Sequence, residues 1–467
     1  MNLKYLLAPG IVLGIGLLGC TTPARQTNWP ETRPLGKDLP TYTPPVQPPR
    51  VAAPSAEDTP VPTGMLTLLQ AQTLAMQHNP QLAAFGWEVR VGEARTRQAG
   101  LPPNPEMEIE VEDFAGSGEL QGFQSTEITI HLSQLIELAG KRRKRARVAA
   151  FERDLAAWDY EATRLDVLTQ VTQAFVEVLS AQERVALNAE LVRLGEQVLS
   201  TVAERVKAGK VSPVEETRAR VELSTSRIAL ERAQRDLEAA RKRLVATWGG
   251  STPAFENAQG SLDTIAAIPP VEQLLERLTQ NPDLARWVTE LAQRQATVEL
   301  EGAKRIPDPT LGGGARHTRE TGDNALVMSV SLPLPVFDRN QGGFLEARYQ
   351  LAKAGEERRA AEIQGRAALA EAYAVLSSAL AEATVLKNEA LPGAQQAFEA
   401  AREGYRQGKF GFLDVLDAQR TLFEARGQYI ETLAAYHQAV AEIERLIGTR
   451  LDAVTGTSSA VPNGGKQ

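Results

Sequence analysis

The stretch Met107-Glu108-Ile109-Glu110-Val111-Glu112 alternates without a break. In an extended strand successive side chains point to opposite sides, so Met107, Ile109 and Val111 share one face and the three glutamates the other. The same period runs through 127–133, where Ile128, Ile130 and Leu132 form the apolar face. It returns in 325–334, where Leu326, Met328, Val330, Leu332 and Leu334 alternate with Ala325, Val327, Ser329, Ser331 and Pro333. The partner of that segment, 310–319, carries Gly312-Gly313-Gly314 and is the weakest of the four strands. Period two over about ten residues is the length of a tilted membrane strand. Two soluble hairpins, each packed on a helix, fit the same pattern. If the strands do lie in a membrane, four cannot close a barrel alone, because such barrels start at eight strands and lipid tolerates no open edge. The barrel would then be shared between copies, and a ring of three would have twelve strands.

The segments flanking these strands have the composition of long helices, rich in Ala, Leu, Glu, Arg and Gln and with only 5% aromatics. Comparison of the chain with itself shows a duplication. His78-Asn79-Pro80-Gln81-Leu82-Ala83 matches Gln280-Asn281-Pro282-Asp283-Leu284-Ala285; Pro103-Asn104-Pro105 matches Pro307-Asp308-Pro309; Gly209-Lys210 matches Gly408-Lys409. Each copy predicts a helix (66–100; 271–304), a Pro-x-Pro stop, two strands, a very long helix (137–207; 340–406), a Gly-Lys turn and a last helix (213–248; 412–448). Leu416, Phe423 and Ile430, like Leu433, Val440 and Ile447, step by seven, as in a coiled-coil seam. His437 falls on the first track and reads as a packed seam residue. Pro392 should kink the second long helix.

The organisation expected is therefore a leader over 1–20, a Pro-rich tether over 21–63, a first repeat over 64–248, a linker over 249–270, a second repeat over 271–450 and a disordered tail over 451–467. The leader has a basic start at Lys4 and a short apolar run that ends Leu17-Leu18-Gly19-Cys20. That end resembles the bacterial lipobox, which implies acylation of Cys20. Thr21 follows, with no Asp to retain the lipoprotein at the inner membrane, so sorting to the outer membrane is implied. The tether holds 11 of the 27 prolines and reads as extended chain. No later stretch approaches 18 consecutive apolar residues, so a membrane-spanning helix is not expected after the leader.

The formal net charge is only −7, which gives no support for nucleic-acid binding. With one cysteine, no intrachain disulfide or Cys-based zinc site can form, and the four histidines and five methionines are scattered. No phosphate-binding loop, nucleophile motif or metal-hydrolase His pair occurs, so neither an enzyme nor a resident cofactor or metal is expected.

With these features, the chain over about 64–450 resembles the outer-membrane efflux duct family typified by TolC. The stretch from Tyr405-Arg406-Gln407-Gly408-Lys409-Phe410-Gly411 to Phe412-Leu413-Asp414-Val415-Leu416-Asp417-Ala418-Gln419 carries this most specifically. Ser133-Gln134-Leu135-Ile136-Glu137-Leu138-Ala139-Gly140-Lys141-Arg142 and Leu332-Pro333-Leu334-Pro335-Val336-Phe337-Asp338-Arg339-Asn340-Gln341-Gly342 are similar to its heavy-metal branch, of which CzcC is an example. The resemblance implies a homotrimer with a 12-stranded barrel continuing into a helical periplasmic tunnel. It implies a passive exit duct for heavy-metal cations, working with a periplasmic adaptor and an inner-membrane RND pump. A duct for organic compounds or type I secretion, and a non-channel coiled-coil periplasmic lipoprotein, are the alternatives.

By the same resemblance Asp414 and Asp417 line the closed periplasmic end and Tyr405 helps hold its helices shut. Read from the residues alone, the two aspartates also fit ordinary helix-start acids. In a trimer one inward aspartate becomes a ring of three carboxylates, which selects cations. Glu215 replaces Asp414 in the first copy. The turns at Gly209-Lys210 and Gly408-Lys409 would be the tips that meet the adaptor; the glycines also suit a tight helix reversal. Glu108, Glu110 and Glu112 would line the barrel lumen, with His131 on a polar face rather than at a metal. The basic run 141–147 fits anionic headgroups, nearby lumenal acids or a merely solvated face.

Overall fold

The computed structural model describes residues 30–46 and 62–455. The leader with Cys20 and the rest of the tether lie outside the described residues. In chain order the elements are β1 (Gly64–Thr67), α1 (Leu68–His78), α2 (Pro80–Ala99), β2 (Glu106–Glu112), β3 (Glu127–Leu135), α3 (Lys141–Lys207), α4 (Pro213–Ala246), β4 (Phe255–Gln259), α5 (Val271–Arg277), α6 (Pro282–Lys304), β5 (Thr310–Thr318), β6 (Asn324–Ser331), α7 (Gln341–Val385), α8 (Leu391–Arg406), α9 (Phe412–Ile447) and α10 (Leu451–Thr455). The two repeats are visible as the same succession met twice. The 67 residues of α3 extend about 100 Å at about 1.5 Å per residue.

The helices expected over 66–100 and 271–304 are each broken, and for one reason. Asn79 and Asn281 cap a new helix, accepting the N–H of Leu82 (2.8 Å) and of Asp283 (2.7 Å), with proline at the first helical position. Each amide also donates to the end of its repeat's last helix, Asn79 to the Thr247 carbonyl (2.7 Å) and Asn281 to that of Leu446 (3.0 Å). One buried asparagine per repeat thus breaks a helix and ties the break to α4 or α9.

β2, β3, β5 and β6 form one antiparallel sheet in that order. Met107 lies opposite Leu132, Ile109 opposite Ile130 and Val111 opposite Ile128, so the apolar residues of all four strands share one face. That face is exposed: Leu326 and Met328 keep about nine-tenths of their surface (91% and 90%). The glycines of β5 have a packing reason. A Cβ on Gly312 would meet the His131 ring at 2.3 Å, and one on Gly314 the Ile130 carbonyl oxygen at 2.2 Å.

Six strands occur among the described residues rather than four. β1 and β4 pair in parallel outside the main sheet. The linker expected over 249–270 therefore carries structure. Gln182 holds it to α3 by two hydrogen bonds with the Ala258 backbone (2.7 and 3.1 Å). The tail is also shorter than expected, because 451–455 is helical and Glu444 accepts the Leu451 N–H (2.9 Å).

The described part of the tether is docked rather than free. Arg164 and Glu161 form a buried ion pair on α3 (2.8 Å), and both turn their remaining capacity to this segment. Glu161 accepts the Arg33 N–H (2.6 Å), while Arg164 donates to the carbonyls of Leu35 (2.8 Å) and Arg33 (3.2 Å). Tyr160 donates to the Tyr42 carbonyl (3.2 Å) and Arg90 to that of Pro44 (3.0 Å). Prolines keep the strap from forming regular structure, so its backbone carbonyls are free for these donors.

Ahead of Pro392, where a kink is expected, the hydrogen bonding shifts to a π turn over Leu386–Ala390 between α7 and α8. The same helix bears on the question of spans. An 18-residue window within 341–406 is apolar enough to cross a bilayer by composition, with mean hydropathy 1.3. Leu369, Ala372, Leu376 and Ala379 of that helix are buried in one cluster with Tyr436, Ala439 and Ile443 of α9.

Truncation of Arg164 would leave Glu161 buried and unpaired, a change that costs about 3–5 kcal/mol. Arg164→Ala is expected to lower the thermal unfolding midpoint and to open Arg33 and Lys37 to trypsin. A wild-type cleavage pattern would show that the strap is held by other contacts.

Candidate functional site

The two helical hairpins α3–α4 and α8–α9 end together. Each long helix closes with the same hydrogen-bond motif. The N–H of Lys210 reaches the Arg205 carbonyl (2.9 Å) and that of Gly209 the Val206 carbonyl (2.9 Å); Lys409 and Gly408 repeat this with Gly404 (2.8 Å) and Tyr405 (3.0 Å). Gly209 and Gly408 have φ of +67° and +75°, which a side chain would strain. Lys210 and Lys409 are exposed beyond them. All four predicted tip residues therefore sit at the reversals.

Tyr405 lies just inside the second tip and is buried. Its hydroxyl donates to Glu215 Oε2 on α4 (3.1 Å). The guanidinium of Arg205, on α3, stacks 4.1 Å from the ring centroid and donates to the Tyr405 carbonyl (2.6 Å). Phe412 closes the far side, 5.8 Å between centroids. One residue of the second repeat is thus clasped by two of the first. Burial, then the Glu215 carboxylate, push the phenol up to about 12, so it stays a donor through the neutral range. Arg205 was not legible as a partner, since only the pairing of the hairpins brings it to Tyr405.

Asp414 and Asp417 stand elsewhere on α9. Asp414 accepts the Gly411 N–H (2.8 Å) and so closes the start of the helix, as the helix-start reading expects. Both side chains are exposed, whereas Phe412 and Val415 turn into the core with Tyr405. The structure does not bring the two aspartates to Tyr405, and among the described residues neither has an ion-pair partner.

On the sheet, Glu108 and Glu110 face His131 and Thr129 across the β2–β3 pair, and Glu112 faces Glu127. Arg316 is the cation of this face, bonded to Glu127 (2.9 Å) and Thr129 (3.1 Å) and 3.6 Å from Glu112. His131 bonds to Ser329 (2.8 Å) across Gly312. No grouping of three metal-ligating side chains exists among the described residues. His437 contacts the Leu262 carbonyl (2.9 Å), and desolvation lowers its pKa.

The basic run divides. Lys141 is buried, paired with Asp308 (2.8 Å) and bonded to the Ile306 carbonyl. Arg145 pairs with Glu137 (2.6 Å) and Arg147 with Glu299 (3.0 Å). Arg142 and Arg143 are exposed and no described residue pairs with them.

A sheet with one apolar and one acidic face, carried on helices far longer than a globular domain needs, belongs to the class of outer-membrane ducts. The chain belongs to the Outer membrane efflux protein family, which matches residues 72–250 and 274–449. It is 40% identical over 388 residues to the cobalt-zinc-cadmium resistance protein CzcC of Cupriavidus metallidurans, covering 82% of this chain and 90% of that one. The nickel and cobalt resistance protein CnrC of the same organism is 26% identical over 64% of this chain and 69% of its own. Among solved structures, CusC aligns with TM-score 0.70 at 18% identity over 88% of this chain and 99% of that one. The Neisseria gonorrhoeae MtrE channel in its open state aligns with TM-score 0.68 at 19% identity, covering 88% and 98%.

A phenol with its folded pKa raised from 10 to about 12 contributes stability fully present below pH 10 and lost as pH rises towards 12. The difference in unfolding free energy between wild type and Tyr405→Phe is therefore expected to be flat up to about pH 10 and to shrink above it. A pH titration of chemical denaturation on both proteins checks this; parallel curves across that window would remove the Tyr405–Glu215 coupling.

Proposed function

We propose that three copies of this chain form the passive outer-membrane exit duct of a tripartite system that expels divalent transition-metal cations. The 40% identity to a cobalt-zinc-cadmium resistance protein over most of both chains carries the reading. Three sheets side by side make a closed 12-stranded barrel whose apolar face meets lipid. Its interior, with Glu108, Glu110 and Glu112 from each copy, is negative and attracts cations. The helices continue the tube into the periplasm. An RND pump in the inner membrane supplies the energy, and a periplasmic adaptor meets the tips at Gly209-Lys210 and Gly408-Lys409.

The gate is at the tip end. Asp414 and Asp417 from three copies form carboxylate rings there, and their exposure in the protomer supports a place on the lumen. Tyr405, clasped by Arg205 and Glu215, latches the α8–α9 hairpin to α3–α4. Opening requires that clasp to part. Cys20 carries the acyl anchor that adds outer-membrane attachment to that of the barrel.

A strain lacking the gene is expected to lose growth on some of the Co, Zn, Cd, Ni, Cu and Ag salts while keeping its tolerance of a dye and a bile salt. Wild-type complementation should restore growth; Asp414→Ala/Asp417→Ala should restore it only in part. Sensitivity confined to the organic compounds would overturn the metal cargo and keep the duct. In a separate measurement Tyr405→Phe removes a hydrogen bond to a charged group, worth about 1.5–3 kcal/mol. It is expected to raise the open probability of the duct in planar bilayers, and an unchanged open probability would exclude the latch.

A further inference from the structure

Three of the six basic residues of the run are consumed by ion pairs within the protomer; of the other three, Lys144 is half-buried and Arg142 and Arg143 are exposed. Lys141, Arg145 and Arg147 bind Asp308, Glu137 and Glu299, which fastens the start of α3 to its neighbours. That fastening needs no basic residue at 142 or 143. Arg142 and Arg143 nevertheless stand there, exposed, adjacent and without a described partner.

Their height is set by the chain. β3 ends at Leu135, and α3 begins at Lys141 after the left-handed cap Gly140. Between them, Ile136 and Leu138 keep more than a third of their surface exposed (39% and 38%). The second repeat makes the same passage from β6 to α7, through the left-handed cap Asn340, and leaves Val336 and Phe337 exposed (59% and 92%). The two arginines thus come directly after the exposed apolar surface of the sheet ends, at the level where acyl chains give way to headgroups.

Their direction is set by the helix. Eighteen residues make five turns at about 3.6 residues per turn. Arg142 therefore projects on the side of Tyr160, and Arg143 on the side of Glu161. Those two residues hold the strap, Tyr160 through the Tyr42 carbonyl and Glu161 through the Arg33 N–H. A segment that leads to a lipid anchor runs along the outer wall of a duct, so this side of α3 faces outward; the step rests on the duct reading and its Cys20 anchor.

We propose that Arg142 and Arg143 bind the phosphate groups of anionic phospholipids in the periplasmic leaflet of the outer membrane. A guanidinium presents parallel N–H donors that fit phosphate oxygens, and two side by side provide for one phosphodiester or two. In a trimer the pair recurs three times around the duct, fixing how deep the barrel sits and leaving the lumenal glutamates unneutralised.

The test uses the full-length protein in nanodiscs holding phosphatidylglycerol and phosphatidylcholine in equal amounts, with retained lipid counted by native mass spectrometry. Wild type is expected to retain phosphatidylglycerol preferentially, and Arg142→Gln/Arg143→Gln to lose about 25-fold in that preference, since each basic residue near an anionic surface contributes about a fivefold factor and the two multiply. Arg142→Lys/Arg143→Lys should keep most of it, and about 1 M salt should abolish it in every form. An equal preference in wild type and the Gln variant overturns the proposal. So does a Gln variant that keeps its lipids but loses the trimer, because the arginines would then pair with carboxylates of a neighbouring copy. The single variant Arg143→Gln is expected to fall between wild type and the double Gln variant in lipid preference, and circular dichroism of both variants, expected to match wild type, guards against misfolding. The mass of the mature N-terminus reads the Cys20 anchor separately, so either reading can fail without the other.

Discussion

The backbone of β2 and β6 is the constraint on which the remainder depends. Both are edge strands of a sheet whose one face is apolar and exposed. In hydrocarbon, each unpaired N–H or C=O of an edge costs several kcal/mol, so the sheet must find further strands. Among the described residues there are none to give, because β1 and β4 pair with each other against the helices. Closure therefore comes from other copies, and the barrel, the tube beneath it and the rings of like residues all follow from that one deficit.

The duplication then determines how the protomer is braced. Each repeat alone is a helix pair, a two-stranded hairpin and a long helical hairpin, and neither hairpin of strands is stable alone. β3 and β5 join the two into one sheet, Asn79 and Asn281 fasten each short helix pair to the end of its own last helix, and the strap crosses the waist on Glu161 and Arg164. At the far end the repeats meet again at Tyr405. Symmetry is broken there: the second repeat supplies the ring, and the first supplies the carboxylate and the guanidinium. An asymmetric clasp holds two similar hairpins together without fixing the position of either tip lysine.

The strands were legible because period two is a local property of sequence, and their register followed the matching of apolar faces. Even the weak segment Gly312-Gly313-Gly314 takes its place, since the missing side chains make room for His131 and the Ile130 carbonyl. The broken helices were less so. Asn79-Pro80 and Asn281-Pro282 were visible as landmarks of the repeat, yet proline is also compatible with a kinked continuous helix. The choice fell to the asparagine side chains, whose second hydrogen bond goes to a carbonyl at Thr247 or Leu446, more than 160 residues away.

By itself the sequence determined the duplication, the four alternating strands, the long helices and the two glycine tips. These rest on periodicity, on proline and glycine, and on side-chain types within a few residues of each other. Only the tertiary structure decided which residues act together: Arg205 and Glu215 around Tyr405, Arg164 and Glu161 under the strap, Asp308 with Lys141. The reason is physical. A helix of 67 residues presents its side chains in every direction along about 100 Å, and what each one meets is set by neighbours that arrive from distant parts of the chain.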